Sequence, residues 1–425
     1  MILVNLFAGD PMPDPSAPKI DPSVVEGTRA IIERVRAQGD AALVELTRRH
    51  DGADLSSGIE VPRQFWEVAA ERVPPAVRSA LSEMAARLRA LHARQLPRPW
   101  SDQASGVVFG EVVRPLAVVG CYVPGGRAAY PSTVLMTAVP ARVAGVGRVV
   151  LCTPPRADGS VPDAVLYAAL VSGADAVYRV GGAHAVAALA YGTETVPRVD
   201  KVVGPGNVWV TAAKREVSGI VGIDGLAGPT ELVIVADQTA DPSLLAVDLV
   251  AQAEHDPRAM TTVVTLDPGL AEALDVAARA EAERSPRREI VERSMAATRM
   301  VLAPDRTTAA KVVDRLAPEH LQVVVADPGS FLDTVRSFGA AFLGPSTPVS
   351  FGDYGVGSNH VLPTMGTARF ASGLRAADFV TVSSFVGASE EGLRTFGPQV
   401  EAVAGAEGLP GHARASEVRR TGGTS

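Results

Sequence analysis

A two-sheet α/β fold is predicted by three observations on this sequence. From Leu116 to Leu343 short apolar runs alternate with segments of helical period, the pattern of parallel strands joined by crossover helices. Glycine-rich turns follow three of these runs directly, where a backbone can approach a ligand closely. The runs also outnumber the strands of a usual single domain, so two Rossmann-like, mainly parallel sheet domains are expected, flanked by helical N-terminal and C-terminal segments.

The first hundred residues read as helical. Val24 to Gln38 is periodic and closes at Gly39, and Asp40 opens a second segment that ends near His50 and stops at Gly52. A third carries Val77, Leu81, Met84, Leu88 and Leu91 on one stripe and ends before Pro97. Strands are expected at Leu116–Val123, Arg148–Cys152, Ala176–Val180, Lys201–Val203, Glu231–Ala236, Thr261–Leu266, Met300–Leu302, Leu321–Ala326 and Ala340–Leu343. The chain then divides into a helical segment 1–115, a candidate cofactor domain 116–229, a second sheet domain 230–380 and a helical tail 381–425.

Composition removes several function classes. Forty Lys and Arg against 47 Asp and Glu leave a net charge of −7, with no dense basic run to hold a nucleic-acid backbone. No apolar stretch reaches the roughly 18 residues of a membrane span, and no signal-peptide pattern opens the chain, so a cytoplasmic protein is expected. Cys121 and Cys152, the two cysteines, are too few for a thiolate metal site. Any bound metal must be held by nitrogen and oxygen.

Chemistry-bearing residues then concentrate in a few segments. The glycine turns are Pro124-Gly125-Gly126, Gly181-Gly182-Ala183 and Gly204-Pro205-Gly206-Asn207; with no G-x-G-x-x-G sequence, they read equally as cofactor cradles or plain tight turns. Gln252 and His255 close a helix that Asp241 caps and Pro242 opens; three apart, they share a face and can offer two ligands or simply meet solvent. Glu319 and His320 follow Pro318 just before a strand, a carboxylate and an imidazole suited to acid–base work. Asp353, Asn359 and His360 fill a glycine-rich loop. Glu407 and His412, read alone, are surface tail. His50 and His92 lie on ordinary helices as surface or packing residues. The other five of the seven histidines fall at loops, turns or helix ends, which points to a His/carboxylate metal centre, with zinc the expected ion.

From about residue 20 to 416 these segments, in order, resemble histidinol dehydrogenases. The matching stretches are Tyr122 to Gly126, Tyr130 to Met136, Gly181 to Ala183, Val203 to Asn207, Ala227 to Glu231, Gln252 to His255, Ala317 to Leu321, Gly352 to Tyr354, Asn359 to Thr364, and Glu407 to Leu409 with His412. The resemblance implies an enzyme with one zinc ion per subunit that uses two NAD molecules in turn, taking L-histidinol through the aldehyde to L-histidine. It implies Gln252, His255, Asp353 and His412 as zinc ligands and Glu319 and His320 as catalytic bases. Substrate contacts would be Thr230, His360 and Glu407 together with the ligands and His320; NAD contacts would be Tyr122, His184 and Asn207. It further implies a homodimer, with the tail reaching the neighbouring subunit's site, residues 116–229 as the NAD domain and 230–380 as the catalytic domain.

Two positions depart from the family pattern: His184 stands where Gln is usual, and Thr230 where Ser is usual. These differences keep open a paralogue that oxidises another small amino alcohol or a sulfonated diol. The layout is also that of aldehyde dehydrogenases, which would make Cys121 or Cys152 a nucleophile; both lie in apolar runs, where a thiol is usually inert.

Overall fold

The computed structural model describes residues 1–14, 20–125 and 128–422. Gly126, the last glycine of the first glycine turn, lies outside the described residues. The strands are β1 (Ile2–Asn5), β2 (Trp100–Ala104), β3 (Val107–Pro115), β4 (Val118–Tyr122), β5 (Arg148–Cys152), β6 (Ala176–Tyr178), β7 (Lys201–Val203), β8 (Gly222–Ile223), β9 (Glu231–Ala236), β10 (Met260–Thr265), β11 (Arg299–Leu302), β12 (His320–Val324), β13 (Ala340–Leu343) and β14 (Val380–Ala388).

Two compact units result. The first comprises Met1–Gln95 and Leu116–Phe379. It holds a five-stranded sheet in the order β6-β5-β4-β7-β8 and a six-stranded sheet in the order β1-β11-β10-β9-β12-β13, both parallel throughout. Both faces of the larger sheet are covered, and the strand alternation shows it: Leu232, Ile234 and Ala236 of β9 enter one apolar cluster, Val233 and Val235 the other. Such strands read as continuous apolar runs, which is why β4 to β7 and β9 to β13 were legible as strands. The crossover helix Pro242–Ala253 starts where the sequence predicts, with the Asp241 carboxylate accepting the Ser243 amide at 2.8 Å and Pro242 in the first turn.

The second unit comprises Leu96–Pro115 and the chain from Val380 onward. Here β14, β3 and β2 form an antiparallel sheet, followed by the helices Glu390–Ala406 and Pro410–Arg420. Residues 1–115 and the tail, expected from the sequence to be helical, are therefore not wholly so. Residues 1–115 contain β1, β2 and β3, and the tail opens on β14. The signal was weak for a physical reason. All five residues of β2 and most of β14 are exposed, so no buried face imprints a period of two, and β1 is a four-residue edge strand. Among the described residues no helix is long and apolar enough to cross a membrane.

Candidate active site

Strand order decides where the reactive residues meet. β9 and β12 are neighbours in register, His320 opposite Leu232, so the segments entering them, Thr230-Glu231 and Glu319-His320, lie side by side at the amino edge of the six-stranded sheet. The helix after β9 runs back against the strands, which returns its last turn, with Gln252, to that same edge. In the smaller sheet the glycine turns follow the carboxyl ends of β4, β6 and β7, the usual ligand side of an open α/β sheet.

Glu319 leaves the helix Arg306–Leu316 through Ala317, a non-glycine residue at φ 45° that caps it, and Pro318. This is the turn that an adjacent Glu-His pair requires. Its carboxylate Oε2 accepts the Thr230 hydroxyl at 2.6 Å and the Glu231 amide at 2.9 Å. Thr230 Oγ1 in turn accepts Gln252 Nε2 at 2.5 Å. Gln252, Thr230 and Glu319 thus form one hydrogen-bonded chain, with the amide nitrogen of Gln252 engaged inside the protein.

His320 is buried and lies on the other side of Glu319. Its Nδ1 is 3.0 Å from the Glu231 carbonyl and 3.5 Å from Glu319 Oε2. A carbonyl only accepts, so Nδ1 carries the hydrogen and Nε2 holds the lone pair. Nε2 is buried with no partner in the protein. A polar atom left in that state is a place for a reacting group.

His360 faces the same region. Its Nδ1 donates to the Asp353 carbonyl at 3.1 Å and its Nε2 is 3.2 Å from the Thr133 hydroxyl. Burial holds its pKa below the usual imidazole value, the Asp353 carboxylate opposes that, and His320 and His255 reinforce it. Asp353, His320 and His255 are thus within electrostatic reach of His360. Asn359, next in sequence, donates to the Met136 carbonyl at 2.7 Å and lies 3.3 Å from the buried His92 ring, which anchors the loop. His92 is packing, as its helical position suggested. Thr133 and Glu231 were missed, and only their nearness in sequence to Tyr130 and Thr230 signalled them, whereas Asn359 was read together with Asp353 and His360.

Gln252, His255 and Asp353 belong to the first unit, whereas Glu407 and His412 are exposed residues of the second. Among the described residues no three His, Cys, Asp or Glu side chains form a metal-binding group.

At the smaller sheet, Tyr122 ends β4 and its hydroxyl accepts the Gly182 amide at 3.1 Å; burial pushes that hydroxyl's pKa up to about 12. Asn207 caps the helix Val208–Val217 by accepting the Trp209 and Val210 amides at 3.0 and 3.2 Å. Gly204, at φ 116°, could not carry a side chain, because a Cβ would lie 2.1 Å from the Tyr122 carbonyl. Its amide donates to Asp224 at 2.7 Å and its carbonyl accepts Lys214 at 3.1 Å, and Lys214 and Asp224 are themselves a buried ion pair.

His184 sits in the first turn of the helix Gly182–Tyr191, only 2% exposed. Its Nε2 is 3.2 Å from the Thr47 hydroxyl, and its ring stacks on His50 with centroids 6.3 Å apart. Burial, aided by His50, depresses its pKa from 6.5 to about 3. The unfolded chain therefore binds the extra proton between those values, and stability from this group is complete above pH 6.5 and lost as pH falls toward 3. We expect His184→Gln to flatten the acid limb of thermal stability, by up to about 1.4 kcal/mol per pH unit in that window. Melting curves from pH 4 to 7 check this, and an unchanged slope would refute it.

Cys121 and Cys152 are both fully buried, and burial raises both thiols, that of Cys121 to about 12. Neither is a nucleophile in waiting.

The family model for histidinol dehydrogenase matches residues 16–420. A histidinol dehydrogenase of Methanothermobacter thermautotrophicus is 48% identical over 392 residues, 92% of this chain and 91% of that protein. One from Pseudomonas syringae pv. tomato is 48% identical over 409 residues, 94% of this chain and 90% of its own length. The crystal structure of histidinol dehydrogenase from Elizabethkingia anophelis superposes with a TM-score of 0.94 at 32% identity, covering 99% of this chain and 98% of that one. On its sequence, its fold and the residues gathered at the edge of its larger sheet, the chain belongs to the histidinol dehydrogenase family.

Proposed function

We propose that the protein is a zinc-dependent dehydrogenase that oxidises L-histidinol, through L-histidinaldehyde, to L-histidine with two molecules of NAD, completing histidine biosynthesis. The observation that carries this is the unpartnered Nε2 of His320, set beside a Glu319 carboxylate that Thr230 ties to Gln252.

The donor set fits zinc. Because Thr230 occupies the amide nitrogen of Gln252, the carbonyl oxygen is the end left for a cation. His255 and Asp353 add nitrogen and oxygen donors, and His412 from the tail of a second copy in a homodimer completes four. When bound, the ion supplies a positive template for the substrate's imidazole and amine. NAD supplies the hydride acceptor for each oxidation.

The chain's own residues move the protons. His320 Nε2 takes the hydroxyl proton of the alcohol as the carbon gives up hydride, and the Glu231 carbonyl stabilises the resulting imidazolium through Nδ1–H. Glu319, adjacent, takes a proton from the water that adds to the aldehyde, and His320 again serves as base when the hydrate is oxidised. Thr230, His360 and Glu407 hold the substrate, with Glu407 reaching over from the second copy. Tyr122, His184 and Asn207 serve the NAD site, His184 from within the turn it braces against Thr47.

Turnover of zinc-loaded protein on L-histidinol is the direct test, with two NADH formed per substrate. No NADH from histidinol, but NADH from another amino alcohol or a sulfonated diol, would replace the substrate assignment. The hydrogen-bonded chain makes a separate prediction. Thr230→Ala should weaken zinc binding about 10- to 100-fold, whereas Thr230→Ser keeps the hydroxyl and most of the affinity. Metal titration with a chelating dye measures both, and equal affinities in the two variants would remove Thr230 from the support of Gln252.

A further inference from the structure

The Glu231 carboxyl has no part in the chemistry above, yet the residue touches both members of the base pair. Its main chain donates to Glu319 Oε2 at 2.9 Å and accepts from His320 Nδ1 at 3.0 Å. Its side chain, buried at the start of β9, accepts the Met365 amide at 2.7 Å. The Met365 turn is itself unusual. Met365 is a non-glycine residue at φ 59°, a conformation that costs free energy unless its surroundings hold it. It is held twice. The Gly228 amide donates to Thr364 Oγ1 at 2.7 Å, and Met365 packs so closely on Gly228 that a Cβ there would lie 2.6 Å from the Met365 side chain.

We propose that Glu231 is a positioning residue for the reaction: its carboxyl ties the start of β9 to the Met365 turn, which fixes the main-chain amide and carbonyl that hold Glu319 and His320 and so aims the Glu319 carboxylate, without touching substrate. The inference rests on the reading of Glu319 as a base.

The like-charge relation supports it. Two carboxyl groups that feel each other in a buried site do not both ionise freely. Burial, opposed by the Met365 amide and aided by the neighbouring Glu319 carboxyl, raises the Glu231 carboxyl to about 8, so near neutral pH Glu231 mostly keeps its proton. A neutral carboxyl that works by accepting hydrogen bonds is well copied by an amide. A methyl copies nothing.

The test is a double-mutant cycle on the zinc-loaded enzyme with Glu231→Ala, Glu231→Gln and Glu319→Gln, following both NADH-forming steps. Glu231→Ala should lower kcat about 10- to 100-fold with KM for the alcohol within about threefold, and Glu231→Gln should recover most of that loss. In the Glu319→Gln background the Glu231→Ala penalty should shrink to less than about threefold, because the residue acts through Glu319. An undiminished penalty in that background, a loss confined to KM, or a Gln variant as poor as Ala would overturn the proposal. Should Glu231→Ala not fold, Glu231→Asp, which shortens the clamp by one methylene, takes its place in the cycle with the same expectations and the same overturning results. A fully active Glu319→Gln enzyme overturns the base assignment by itself, whatever the Glu231 variants do.

Discussion

Replacing His320 by Asn is expected to lower kcat about 10²- to 10⁴-fold for histidinol, with smaller changes in KM. Asn is the informative choice, because its side-chain amide can still donate where Nδ1–H meets the Glu231 carbonyl, so the packing against β9 is kept. What is lost is Nε2, the buried lone pair with no partner in the protein. Steady-state NADH formation measures the effect. Replacement by Gln, which offers an atom nearer the Nε2 position and abandons the Glu231 carbonyl, should be no better, since neither amide is a base near neutral pH. A His320→Asn enzyme within a few-fold of the parent would remove His320 from the proton-transfer role. Glu319→Gln should then differ in kind. Its amide oxygen still accepts from Thr230 and Glu231, so the first oxidation suffers less than the second, which needs water activated. The expected sign is NADH per histidinol falling below two while aldehyde accumulates.

The second large effect concerns stability rather than chemistry. Lys214 and Asp224 are 2% and 6% exposed, ion-paired with each other, and both bonded to Gly204 at the glycine turn after β7. Removing one member leaves a buried charge without its counter-ion. Lys214→Met is therefore expected to destabilise the protein by about 3–5 kcal/mol, as should Asp224→Asn, which also weakens the acceptor for the Gly204 amide. Replacing both together by apolar residues should cost much less than the two single changes summed, since no lone charge remains. Thermal or urea unfolding of the three variants decides this. Additive losses would mean that the pair is not energetically coupled. Partly folded single variants should lose NAD affinity before histidinol affinity, because the turn they brace belongs to the smaller sheet.

Much of the site was legible because its residues come in short local groups whose geometry is fixed by neighbours in the chain. Glu319 and His320 follow a proline turn before a strand, and the structure supplies that turn at Ala317 and Pro318. Gln252 lies in the last turn of a helix whose start was marked by Asp241 and Pro242, but the helix ends at Ala253, so His255, expected on the same last turn, lies beyond it. Strands buried on both faces announced themselves as apolar runs: Arg148–Cys152, Lys201–Val203, Glu231–Ala236 and Ala340–Leu343 were placed at their observed bounds.

Other features depend on which distant segments touch, and no local pattern carries that. The antiparallel sheet of β2, β3 and β14 joins residues more than 270 positions apart in the pairing of Val107 with Ala388. The hydroxyl of Thr133 reaches His360 across 227 positions, and His92, an ordinary helical histidine in the sequence, anchors Asn359 across 267. In the sequence His184 was one of five histidines at loops, turns or helix ends, with nothing to mark it as buried. Tertiary packing buries it against Thr47 and His50 and thereby removes its charge. By itself, then, the sequence determined the α/β class and the family and marked the candidate reactive groups, because these depend on local order along the chain. The tertiary structure alone decided that β9 and β12 lie side by side, which makes Thr230, Glu231, Gln252, Glu319 and His320 a single hydrogen-bonded assembly. Hydrogen bonds act over about 3 Å, and only folding brings residues so far apart in the chain to that distance.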